Sequence, residues 1–150
     1  MVAAMTVGCA WWIGARPGLA SCPGPLVSTE ALLGDFLWRE RVRYRAEDVE
    51  ASFEFVVQKH GNTLIVVGLN EFGAKAFVVT QRGLEIDARS LLGPVEIVPP
   101  RTALHDLHRA RLTPPDTVAA EAEDITLRPP GCGYAVTFSR LSTQRLEATP

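Results

Sequence analysis

Apolar and polar residues alternate along most of the chain between Phe36 and Ala88, and this alternation predicts strands. Phe36, Trp38, Val42 and Tyr44 fall on one face of the first, interrupted by Glu40. Leu37, Arg39, Arg41, Arg43 and Arg45 fall on the other, the pattern of a half-buried strand with one wet face. Glu47-Asp48 supplies a turn. A second strand follows from about Ala51 to Gln58, with Phe53, Phe55 and Val57 alternating against Ser52, Glu54 and Val56. His60-Gly61-Asn62 reads as a hairpin loop in which Gly61 takes positive φ. Leu64 to Leu69 is apolar at every position except Gly68, which predicts a central strand covered on each side. Asn70 to Gly73 is a tight connection, Ala74 to Thr80 the next strand and Gln81-Arg82-Gly83 a turn. Alternation then resumes at Leu84, Ile86 and Ala88. Short Gly-containing turns between such strands indicate an antiparallel meander.

The period changes after Pro94, Pro99 and Pro100. Thr102 is placed to cap a helix over Ala103 to Leu112, with Ala103, Leu104, Leu107 and Ala110 on one stripe. Pro114-Pro115 stops it. Residues 116–124 are acidic and alanine-rich, a loop or a weak second helix. Ile125 to Arg128 and Tyr134 to Leu141 are the last strand candidates, on either side of Pro129-Pro130-Gly131-Cys132-Gly133. The fold class is α+β and mainly β: a curved antiparallel sheet or half-open β-barrel covered by one or two helices. One short helix leaves part of an aromatic sheet face uncovered. That shortage predicts an open apolar cavity bordered by Phe36, Trp38, Phe53, Phe55 and Phe77.

A length of 150 residues is one domain's worth of chain, and 47% apolar content is enough for a core without staples. A net charge of −2 gives no support to nucleic-acid binding. The apolar content is unevenly placed, since residues 1–15 carry no charge. That run is too short to span a bilayer and fits the apolar region of a secretory signal. Leu19-Ala20-Ser21-Cys22 resembles a bacterial lipobox, and Thr6-Val7-Gly8-Cys9 is a poorer second candidate. Cys22 is the expected lipid site and Cys9 the alternative. With Cys9 lipidated, Cys22 and Cys132 remain as a pair that an exported protein can hold as a disulfide. The expected division is a signal or anchor segment at 1–21, a linker at 22–31, a domain at 32–142 and a tail at 143–150.

Candidate chemistry is sparse. His105 and His108 share a helix face but lack a third ligand, so they read as exposed histidines and no metal is expected. There is no G-x-S-x-G elbow, Gly-rich phosphate loop or C-x-x-C pair. No catalytic residue and no cofactor are expected. The arginine row at Arg39, Arg41, Arg43 and Arg45 repels itself unless acids or anions face it. Glu50 and Glu54 on the adjacent strand are the expected partners, and anionic lipid headgroups or a protein partner the alternative.

The order of these pieces resembles small bacterial envelope lipoproteins of unknown function in the LolA/LolB-type lipoprotein-carrier superfamily. The resemblance covers residues 32–141. It rests on Leu33-Gly34 before a charged alternating strand, on Leu64–Leu69, and on Asn70-Glu71-Phe72-Gly73 before Phe77. Asp106 to Ala110 and Gly133-Tyr134 before the last strand complete it. It implies a half-open antiparallel barrel whose apolar interior holds acyl chains. The expected function is therefore a non-catalytic envelope lipoprotein at the outer membrane, facing the periplasm and binding a lipid or acyl group. It would be held on the membrane by its N-terminal lipid anchor. The rival readings are a structural lipoprotein of an envelope complex and a small enzyme using Cys132 or the histidine pair.

Overall fold

The computed structural model describes residues 18–92, 97–113 and 122–146. Seven strands form one antiparallel sheet: β1 (Asp35–Arg45), β2 (Glu50–His60), β3 (Thr63–Leu69), β4 (Lys75–Arg82), β5 (Glu85–Ser90), β6 (Asp124–Leu127) and β7 (Ala135–Leu146). Their order is β5-β4-β3-β2-β1-β7-β6, so β5 and β6 are unpaired edges and the sheet is open. The first five strands are the expected meander. Two of its turns place a glycine where a side chain would be strained, Gly61 at φ +57° and Gly83 at φ +58°. The chain then forms α1 (Pro100–Leu107), widens into a π-helical turn over His108–Leu112, and returns through β6 and β7. The last strand β7 pairs with the first, Val42 opposite Phe138.

Alternation sorts the side chains into two layers. Val42, Tyr44, Phe53, Phe55, Val57, Leu64, Val66, Phe77, Val79, Val136 and Phe138 point to one face and are buried there. Leu104 and Leu107 of α1 pack against that face and are fully buried. Each large side chain removed from water in this way contributes about 1.5–3 kcal/mol. Pro100 rather than Thr102 opens the helix, because proline's fixed φ suits the first turn, and no side chain caps it. Thr102 lies inside the helix, where its hydroxyl accepts the Cys22 N–H at 3.0 Å.

Three expectations about order along the chain are corrected. Within the expected linker at 22–31, residues 22–27 form a strap over the helical segment and Thr29 is tied to the turns at Asn62 and Gly83. Leu19, inside the segment read as a signal, also belongs to the strap and donates its N–H to the Ile97 carbonyl at 2.8 Å. The C-terminal strand does not stop near Leu141. Thr143 to Leu146 pair with Trp38 to Asp35, past a bulge opposite Arg39 and Glu40. Finally, β3 is not covered on both faces. Ile65 and Val67 lie on the outer face and are only half-buried, with no described element over them.

Candidate functional site

The strap is fixed to the helix by polar groups spaced along it. Arg109 donates to the Pro23 carbonyl at 3.2 Å, and the His105 ring meets the Pro25 carbonyl at 3.2 Å. The Val27 N–H donates to Nδ1 of His108 at 3.2 Å. That bond fixes the ring's tautomer. Nδ1 accepts, so Nε2 carries the proton and donates to the Gln81 side-chain oxygen at 2.7 Å. The Gln81 amide nitrogen in turn donates to the carbonyls of Val27 at 2.8 Å and Gly83 at 2.7 Å. His108 is fully buried, and burial lowers its pKa to about 4. It is therefore a neutral clasp, not the exposed helix histidine that the sequence pattern suggested. A Cβ at Gly24 would approach Arg109 Nη2 to 2.6 Å and His105 Cβ to 3.1 Å, so the strap crosses α1 where only glycine fits without displacement.

Two buried carboxylates lie between the sheet and the helical segment. Asp106 accepts from Tyr134 at 2.6 Å, from Tyr44 at 3.3 Å and from Arg109 at 2.6 Å. Burial raises the Asp106 pKa, and those three donors hold it back. Burial and the neighbouring carboxylate push both tyrosines up. Glu40 is fully buried and accepts from Arg111 at 2.6 Å and Arg140 at 2.9 Å. Arg111 also donates to the carbonyls of Ala122 and Glu123, which tie the return into β6 to the π-helical turn. Burial pulls the Arg111 guanidinium below its usual range and Glu40 pulls it back up. Each of these residues is engaged by another side chain or by backbone, Glu40 through Oε1 alone while its Oε2 is buried with no hydrogen-bond partner, and none pairs a nucleophile with a base in an open cleft. Among the described residues, no three His, Cys, Asp or Glu side chains gather where a metal could sit.

The apolar opening lies at the end of the inner face where β2 and β4 begin and β5 ends. It is a cleft of about 320 Å³, within the size range of small-ligand sites. Phe53, Ala76, Phe77 and Val98 form its wall, and Leu92 and Ile97 flank it. Phe72, in the loop between β3 and β4, stands at the mouth 86% exposed. The loop is set by Asn70, whose side-chain oxygen accepts the N–H groups of Phe72 at 3.0 Å and Ala74 at 2.9 Å. Phe77 can lie across β3 because Gly68 has no side chain. A Cβ there would meet the Phe77 ring at 2.3 Å.

Of the five aromatics expected around one cavity, two line the cleft. Phe53 and Phe77 do so, with ring centroids 6.0 Å apart. Phe55 is sealed behind them, against Phe77 at 5.5 Å and Phe138 at 6.1 Å. Phe36 and Trp38 sit toward the other end of β1, stacked at 4.2 Å, with the Arg140 guanidinium 4.6 Å from the Trp38 ring centroid. Phe36, Trp38 and Phe55 are thus core and sheet-end contacts rather than cleft walls. Phe72, Ala76 and Val98 were not anticipated. An aromatic residue inside a tight Asn-to-Gly turn was the available signal for Phe72.

The arginine row faces outward as expected. Arg39 donates to Glu54 at 2.7 Å, and Arg45 lies 3.6 Å from Glu50, the two acids named from sequence. By register the outer face runs Arg39, Val56, Val67, Val78, Arg89 across five strands. It brings Arg41 and Arg43 to no ion pair among the described residues.

Cys22 is buried and bonded to Cys132, with sulfurs 1.92 Å apart. A sulfur in a disulfide has no valence left for a thioether, so the lipid site read at Cys22 is incompatible with the bonded form. The alternative, Cys9, lies outside the described residues. Among known proteins, no family model and no curated protein matches the chain.

Proposed function

We propose that this is an exported, lipid-anchored envelope protein that binds an acyl chain or similar apolar group without catalysis. The observation that carries the reading is the cleft over Phe53 and Phe77, an apolar hollow on the inner face that neither α1 nor the strap covers. The Cys22–Cys132 disulfide supports export, because such bonds persist in oxidising compartments. With Cys22 so engaged, Cys9 becomes the lipid-bearing residue of the proposal. An open antiparallel sheet with its helix on one face is compatible with the lipoprotein-carrier resemblance, and the half-open barrel is part of the same proposal.

Binding would follow from burial. Each methylene removed from water contributes about 0.8 kcal/mol, so two more carbons tighten binding by roughly tenfold until the cleft is full. Calorimetric titration of the full chain with 1-octanol and 1-decanol tests this. The expected result is saturable one-to-one binding, tighter for decanol, and lost in Ala76→Leu and in Ser90→Trp at the rim. Absence of saturable binding, or binding indifferent to both substitutions, overturns the reading.

A further inference from the structure

The wall and mouth of the cleft differ sharply in chemistry, and the difference selects the head of whatever chain enters. Among the described lining residues there is no lysine, arginine or histidine. The polar groups are Glu50, Ser52, Asn70, Glu71 and Ser90. Glu50 belongs by register to the outer row and faces Arg45 at 3.6 Å. Glu71 sits beside Phe72 in the exposed turn and has no ion pair among the described residues. An anionic head seated here would meet carboxylate and, among the described lining residues, no cationic side chain, and like charges in partial shelter repel. A cationic head would meet Glu71 on one side and aromatic rings on the other. Phe53, Phe72 and Phe77 offer ring faces or edges around the same opening, and a ring face attracts an alkylammonium within about 6 Å of its centroid.

We infer that the cleft takes an alkyl chain bearing an amine or quaternary ammonium head, and discriminates against a carboxylate or phosphate head. The inference rests on the apolar-cleft reading above and adds the class of ligand to it. Its occupant is fixed by charge: an acidic, aromatic rim with no cation among its described lining residues complements a positive head.

Three probes with one chain length separate the two claims: decyltrimethylammonium, 1-decanol and decanoate, each below its micellar concentration, at pH 7.5 and low salt. The full chain is expected to bind the ammonium at least tenfold more tightly than decanoate, with decanol between them. Glu71→Gln, an exposed loop change, is expected to narrow that ratio severalfold. Phe72→Leu is expected to weaken the ammonium severalfold while leaving decanol unchanged, because it keeps apolar contact and removes the ring face. If decanoate binds as tightly as the ammonium, the head-group inference falls and the apolar cleft stands. The inference also falls if the preference survives Glu71→Gln and Phe72→Leu together. Failure of all three probes to bind removes the cleft reading and this one with it.

Discussion

At the scale of single residues, His108 makes the sharpest claim. Its ring is a donor through Nε2 and an acceptor through Nδ1, and adding a proton to Nδ1 would set two N–H groups against each other at Val27. An unfolded histidine takes up a proton near pH 6.5, whereas this one resists until about pH 4. Between those values the unfolded chain holds more protons, so stability is full above pH 6.5 and falls as the pH drops toward 4. The loss is about 3 kcal/mol across that window. Asp106 acts in the opposite sense. Its raised pKa means that the folded state takes up a proton more readily than the unfolded, so acid relieves its burial. Comparing wild type with His108→Gln by urea titration from pH 7 to pH 4 isolates the histidine. The wild-type chain should lose stability relative to the variant as pH falls. Parallel curves would show that the ring is not a proton-excluding clasp.

At the scale of elements, the sheet and the helical segment are joined through Glu40 as much as through leucines. Glu40 stands at an inward position of β1, and the bulge opposite it puts Arg140 and the exposed Thr143 on the same sheet face as Glu40 and Trp38. Removing one partner of a buried ion pair leaves the other uncompensated, at a cost of about 3–5 kcal/mol. Glu40→Leu should reach that range in denaturant unfolding. The double variant Glu40→Leu/Arg111→Met should recover part of it, because no buried charge is then stranded between β1 and the π-helical turn. A single-variant loss below about 1 kcal/mol would show that Glu40 contributes packing only. The sequence signalled this residue, since a glutamate breaking an apolar stripe is the mark of an inward polar group. The meander was equally legible, because its alternation and glycine turns are local. What stayed hidden is non-local. Residues 143–145 are polar, and only their pairing with Phe36–Trp38, about a hundred positions earlier, makes them strand. The strap reads as a Pro-Gly linker because its bonds go to His105, His108 and Gln81 rather than to neighbours. His108 lies one turn after Leu104, so the helix stripe already contained it, but ring polarity argued for solvent. The cleft was anticipated as a shortage of cover. Of its walls only Phe53 and Phe77 were legible, because Ala76, Val98 and Phe72 meet them only in the folded chain.

At the scale of the whole molecule, the fold is closed by its ends. The first strand pairs with the last, and the disulfide joins residues 110 positions apart. Cross-linking so long a loop mainly restricts the unfolded chain, and native bonds of this kind typically contribute about 2–4 kcal/mol. Reduction, or Cys22→Ala/Cys132→Ala, should lower stability by that amount while the circular-dichroism spectrum of the sheet persists, because the strap keeps its bonds to α1. Unchanged stability on reduction would mean that the strap alone closes the fold.

The spacing of that disulfide also orders events in time. Cys22 leaves the ribosome or translocon long before Cys132 exists to receive it, and the earlier thiol available to it is Cys9. An oxidant met in that interval would therefore join Cys9 to Cys22 across a short loop, the wrong partner for the finished fold. Acylation of the Cys9 sulfur would remove that competitor. In the lipid-anchored form proposed above, the anchor would then serve a second purpose, leaving Cys22 unspent until the far end of the chain arrives.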